Sequence, residues 1–186
     1  MTDYEGYDGI GLAELVRDGE VSATELLDDA VARIERRDPA LNAVVTPLYD
    51  SARAAIAAGL PDGPFSGVPF LVKELVAAVA GTASSAASRL YRNHIAAADS
   101  EIVTRFRRAG LVIAGKTNSP EFGLSPTTES LLYGITRNPW QHDLAPGGSS
   151  RRRRSRARPA PCRPRLPRRS HRSTRPVRGH AATGCG

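Results

Sequence analysis

The stretch DSEIVTRFRRAGLVIAGKTN, residues 99–118, carries two periodicities in succession, and they decide the architecture. Asp99 and Ser100 are suited to cap a helix that the spacing predicts from Glu101 to Ala109, with Ile102, Val103 and Phe106 facing inward. Gly110 closes that helix, and residues 111–118 follow as a strongly apolar strand. A helix that returns directly into a buried strand is the repeating unit of an α/β fold.

The same reading extends towards the N-terminus. PDGPFSG (61–67) is a turn cluster from which VPFLVKEL (68–75) emerges as a second buried strand. Ser22 and Glu25 form a capping box for an amphipathic helix over 23–37, with Arg36 and Arg37 in its last turn and Pro39 preventing continuation. A short helix over 9–18, a strand over 41–46 and a helix over 51–59 complete the elements of this part. Residues 76–98, small and irregular, read as loop with short helical pieces. Two or three apolar strands of this kind usually belong to a wider sheet, so the body reads as part of a larger α/β domain.

Charge divides the chain in two. Residues 1–150 hold 13 basic and all 19 acidic residues, a net charge of −6, whereas residues 151–186 hold 13 arginines and no acid. The basic character of the whole, +7, therefore belongs to the C-terminal segment alone. That segment, with five prolines, is expected to be a disordered Arg/Pro-rich tail. Cys162 and Cys185 both lie in it, which leaves the body without a disulfide framework or thiolate metal site. The acidic start of the chain lacks the plan of a secretory signal, and no apolar run approaches the roughly 18 residues that span a bilayer. A cytoplasmic protein without a membrane partner is expected; no feature sets an oligomeric state.

Two places invite chemistry. Lys73 ends an apolar strand, where an ammonium either pairs with an acid such as Glu74 or loses its proton and becomes a base. In Pro146-Gly147-Gly148-Ser149-Ser150 the glycines permit a tight turn that presents two hydroxyls, though the same composition also makes a flexible linker. Lys116, at the end of the second strand, reads as structural with a site position as the alternative, Trp140 as a packing anchor, and His94 and His142 as surface or capping residues without a ligand pattern.

Taken together, GVPF-x-x-K at 67–73, AGL-x-I-x-GKTN-x-PEF at 109–122, RNPW at 137–140 and PGGSS at 146–150 resemble the amidase signature family. The resemblance covers about residues 8–150. It implies a partial α/β/α fold with a mixed central sheet, and a hydrolase of carboxylic amides that works through a Ser–Ser–Lys triad with no metal or organic cofactor. Carried over by position, Lys73 is the general base and Ser149 the bridging serine, while Gly147, Gly148 and Ser150 form the loop that supports it. The implied partner is a small-molecule amide.

Beyond Ser150 the resemblance stops. The family continues with a second glycine pair and a later Gly-Gly-Ser turn that carries the nucleophile and the oxyanion donors, and neither is present here. Ser173 stands at a comparable distance, but in HRSTRPVRG it has no glycine turn, so no nucleophile is assigned. Residues 151–186 are expected to be frameshifted read-through. In GC-rich DNA, a two-base shift turns GGC and GCC runs for Gly and Ala into CGG and CGC, both Arg. A chain that ends its family likeness in this way is expected to be inactive. The alternatives are a nucleic-acid-binding protein that uses the Arg-rich tail without sequence preference, and an amidase-like pseudoenzyme retained for protein contacts.

Overall fold

A computed structural model describes residues 4–146. The helices are α1 (Gly9–Arg17), α2 (Ala23–Leu41), α3 (Tyr49–Ala57) and α4 (Glu101–Arg108). The strands are β1 (Val44–Pro47), β2 (Pro69–Lys73), β3 (Val112–Thr117), β4 (Glu129–Ser130) and β5 (Gly134–Ile135). Three of the strands form a mixed sheet in the order β1-β3-β2, with β2 parallel and β1 antiparallel to β3. The two-residue strands β4 and β5 pair as a separate hairpin.

All six residues of β3 are buried, and their alternation builds a core on each face. Val112 and Ala114 pack with Leu27, Val31 and Ala52 of α2 and α3. Ile113 faces the other way with Val72, Ala77, Val79 and Val103, where Phe70 and Phe106 meet edge-on at 4.9 Å between ring centroids. Helices thus cover both sides of the sheet, in the α/β/α layering expected.

The capping box of α2 is formed: Glu25 N–H donates to Ser22 Oγ (3.2 Å) and Ser22 N–H to Glu25 Oε2 (2.8 Å). The Ser22 N–H bond, joined by Ser22 Oγ donating to the same oxygen at 2.8 Å, holds the Glu25 carboxyl below its ordinary pKa. The expected stop before Pro39 is corrected, because α2 continues through the proline to Leu41, and Arg36 and Arg37 are not in its last turn. Asp38 supports the extra turn. Its carbonyl accepts from Asn42 N–H (2.7 Å) and its carboxylate from Ala43 and Val44 N–H (2.9 and 3.1 Å), while buried Leu41 anchors the end.

Two expectations for α4 are also corrected. Ser100 starts the helix without a side-chain cap, and the Asp99 carboxylate turns instead to Ala80 N–H and Arg107 Nε, both at 2.7 Å. Ile102 is 43% exposed: Val103, about 100° further round the helix, is the residue buried against the sheet, with Phe106 partly buried beside it.

The turn cluster at 63–67 locks onto the α4–β3 turn through Phe65 N–H to Ala109 O (2.9 Å) and Gly67 N–H to Gly110 O (3.0 Å). Gly110 has φ +86°, and a methyl group there would come within 2.5 Å of Ser66 Cα. Gly110→Ala is therefore expected to cost about 2 kcal/mol or more in urea unfolding, from left-handed strain plus overpacking. Gly19→Ala, at φ +73° in open space, is expected to cost about 1 kcal/mol from strain alone. Equal urea midpoints for the two variants would show that the close approach at Gly110 is unimportant.

Candidate active site

The parallel strands β2 and β3 end side by side, with Lys73 in register with Thr117. Glu74 N–H donates to Thr117 O at 3.0 Å, and on the far side of β3 Asn118 N–H donates to Ala43 O at 2.9 Å. Ligand sites of open α/β sheets form beyond such carboxyl ends. Lys73 is half-buried there.

The burial argument made for Lys73 applies more fully to Lys116. Lys116 and Glu74 have side chains 0% exposed, and the Lys116 ammonium lies 3.2 Å from Glu74 Oε2 as an ion pair without hydrogen-bond alignment. The ammonium also donates to Ala83 O. Glu74 Oε1 accepts from Ser85 N–H (2.8 Å) and Ser85 Oγ (2.7 Å). The Tyr133 hydroxyl lies 3.1 Å from Ser85 Oγ and 3.5 Å from Glu74 Oε1, the latter at the edge of hydrogen-bonding range. Burial pushes the Tyr133 phenol above its ordinary pKa, and the Glu74 carboxylate beside it adds to the shift against the opposing Ser85 bond. Glu74 is thus the partner of Lys116.

A second set of bonds ties the hairpin to the same strand ends. Asn118 Nδ2 donates to Gly134 O (3.2 Å) and Thr136 Oγ1 (3.1 Å), and Thr136 Oγ1 donates to Asn42 O. Asn42, at φ +50°, donates in turn to Tyr133 O and Ile135 O at 2.7 and 3.0 Å. Ser119 Oγ, next along the chain, is buried with no hydrogen-bond partner among the described residues.

Of the residues singled out by sequence, Lys73 lies at these strand ends, whereas Gly147, Gly148, Ser149, Ser150 and Ser173 lie outside the described residues. His94 and His142 are exposed. Trp140 is corrected as a packing anchor: it is 70% exposed, since its loop is held by Asn138 Oδ1 accepting from Trp140 N–H (3.0 Å) rather than by the ring. Among the described residues no cluster of three or more His, Cys, Asp or Glu could hold a metal ion, and no helix is long and apolar enough to cross a membrane. Sequence reasoning offered Glu74 to Lys73 rather than to Lys116, and it missed Ser85, Asn118 and Tyr133 as parts of the site. The available signal was a second lysine inside the apolar run VIAGKT, which requires an acid nearby.

The family model described as Amidase matches residues 25–151. Over 145 residues the chain is 43% identical to a 6-aminohexanoate-cyclic-dimer hydrolase of Paenarthrobacter ureafaciens, with 77% of this chain and 29% of that protein covered. It is 38% identical over 150 residues to a lipoamidase of Enterococcus faecalis, with 80% and 21% covered. The solved structure of a 6-aminohexanoate cyclic dimer hydrolase complexed with substrate matches with a TM-score of 0.74 and 40% identity over 78% of this chain and 30% of that one. The chain spans less than a third of the length of these relatives.

Lys116→Met, which strands the Glu74 carboxylate in the interior, is expected to lower the unfolding free energy by about 3–5 kcal/mol. The double variant Lys116→Met/Glu74→Leu is expected to lose less than the sum of the two single changes, read from urea midpoints; strict additivity would dissolve the pair as a unit. Tyr133, with its phenol pKa raised in the fold, favours the folded state below pH 10 and loses that contribution as pH rises through its folded value. Stability followed from pH 9 to 12 should therefore fall more steeply for the parent than for Tyr133→Phe.

Proposed function

The chain belongs to the amidase signature family, and on that footing we propose that residues 1–150 carry the lysine and bridging-serine part of an amide-hydrolysing Ser–Ser–Lys site. The observation that carries this reading is Lys73 at the carboxyl end of β2, half-buried beside the end of β3, in a matched segment that runs on through Gly147–Ser150. In the reaction, a neutral Lys73 amine takes the proton of the bridging Ser149 hydroxyl. Ser149 in turn takes the proton of a nucleophilic serine as that serine attacks the amide carbonyl. Backbone N–H groups stabilise the oxyanion, and the relayed proton leaves on the departing amine. Water then releases the acyl group.

The chain as given supplies no nucleophile for this sequence of steps and does not turn over amides. Support comes from residues 151–186, which contain 13 arginines, no lysine and no acid where the family has its second glycine pair and Gly-Gly-Ser turn. A two-base frameshift after Ser150 accounts for that composition. The substrate class is a carboxylic amide. The first compound to test is the 6-aminohexanoate cyclic dimer that the named relative hydrolyses.

Hydrolysis of the cyclic dimer and a panel of linear amides is expected to stay at the blank rate for the chain as given and to appear in a frame-restored version. In the restored version, Lys73→Met is expected to lower kcat by roughly 10³-fold or more. Activity of the unrestored chain that survives Ser173→Ala would refute the triad assignment, and activity abolished by Ser173→Ala would return the nucleophile to the tail. Sequencing across codon 150 tests the frameshift, which fails if no alternate frame encodes a glycine-rich serine motif.

The tail's charge favours a second reading, nucleic-acid binding, for which electrostatics alone supplies salt-sensitive affinity. Preference for one nucleic acid over others at physiological salt would support it; uniform, salt-suppressed binding counts against it.

A further inference from the structure

We infer that Glu74 is a positioning residue for Lys73, its carboxylate fixing the end of β2 and with it the direction of the neighbouring lysine side chain. The inference rests on the reading of Lys73 as the proton acceptor of the site. Lys73 is the last residue of the β2 ladder, and one further bond, Glu74 N–H to Thr117 O, extends it. Beyond Glu74 the chain turns sharply. Val76 sits at φ +74°, a left-handed conformation that is strained for a β-branched residue, and it is 77% exposed, so little packing holds it there. Strained backbone persists only where the surroundings over-determine it. At this turn the determining group is the Glu74 carboxylate, gripped by Lys116 from β3 and twice by Ser85 from the loop opposite.

The grip is itself anchored. Ser85 Oγ also accepts from Ala87 N–H (3.1 Å), and Ala86 and Ala87 both hold left-handed backbone, at φ +50° and +58°. Tyr133 closes the group from the hairpin. Adjacent residues in extended chain project to opposite sides, so a carboxylate pinned on one side sets the Cα–Cβ direction of Lys73 on the other. The titratable members of the group are Glu74, Lys116 and Tyr133.

Only two lysines, Lys73 and Lys116, occur in the whole chain, which makes the inference testable without turnover. The full chain is trace-labelled with acetic anhydride between pH 6 and 11 with Nα-acetyl-lysine amide as an added standard, and acetylation at each lysine is read by peptide mass spectrometry. In the parent chain Lys73 is expected to label and Lys116 to stay protected. Glu74→Gln is expected to move the pH–rate profile of Lys73 by about tenfold in rate at fixed pH, and Glu74→Asp, which keeps the carboxylate, to recover part of it. Ser85→Ala and Tyr133→Phe, which leave the ion pair intact, are expected to shift Lys73 in the same sense by less.

An unmoved Lys73 profile in Glu74→Gln, with Lys116 still protected, overturns the inference. Should Glu74→Gln unfold the chain, seen as Lys116 labelling as fast as the standard, unmoved profiles in both Ser85→Ala and Tyr133→Phe overturn it instead. A purely structural role would change Lys116 protection and leave the Lys73 profile in place. Failure of the triad reading shows in the hydrolysis assays and leaves the labelling result unaffected, so the two are separable.

Discussion

The pairing of Lys116 with Glu74 constrains everything around it. Each side chain is 0% exposed, and removing two such charges from water costs several kcal/mol per ion before their attraction is counted. The arrangement is tolerable only where other polar groups share the burden, and here Ala83 O takes a Lys116 proton while the Ser85 N–H and hydroxyl satisfy Glu74 Oε1, leaving Oε2 to the ammonium alone. The ends of β2 and β3, the loop at 83–85 and the hairpin at Tyr133 must therefore arrive together. A pair of this kind contributes little net stability. It contributes specificity, since any slip of β2 against β3 would leave a charge stranded.

Much of the fold was legible because the determining signals were local. Gly110, the capping box at Ser22 and Glu25, and the apolar run 111–118 each specify a boundary or an element by short-range chemistry, and each appears where the residue pattern puts it. The errors fall where bonds to residues outside the element decide. Pro39 is carried inside α2 because Asp38 reaches forward to Ala43 and Val44. Asp99 abandons a cap for Ala80 and Arg107. The two-residue strands β4 and β5 are too short to show a period, and what secures their hairpin is Asn42 and Asn118, more than 15 residues away in sequence.

The site was half legible for a related reason. VPFLVK and LVIAGK look alike as segments, each an apolar strand that runs into a lysine. Their difference comes from strand order. β3 lies between β1 and β2 with a helical layer on each face, whereas β2 is paired on one side within this sheet. Lys116 is therefore sealed and must be neutralised by an acid, while Lys73 stays half-buried at the strand end. Local sequence reports that a lysine sits among apolar neighbours. It does not report how many sides of its strand are covered.

Backbone strain makes the same point about where the chain is held. The non-glycine residues with left-handed backbone among the described residues are Asn42, Val76, Ala86, Ala87 and Phe122. Asn42 bonds the hairpin, Val76 follows Glu74 by two, Ala86 and Ala87 follow Ser85 directly, and Phe122 N–H donates to Ala86 O at 3.0 Å. Each conformation costs on the order of 1–3 kcal/mol, and no helix or strand elsewhere among the described residues carries a comparable strain. Strain gathered around one buried ion pair and one strand-end lysine is what a scaffold shows when it holds side chains in fixed directions rather than minimising its own energy. The turn that follows Lys73 is held at Glu74 by Lys116 and Ser85, interactions that the three-stranded sheet alone would not need.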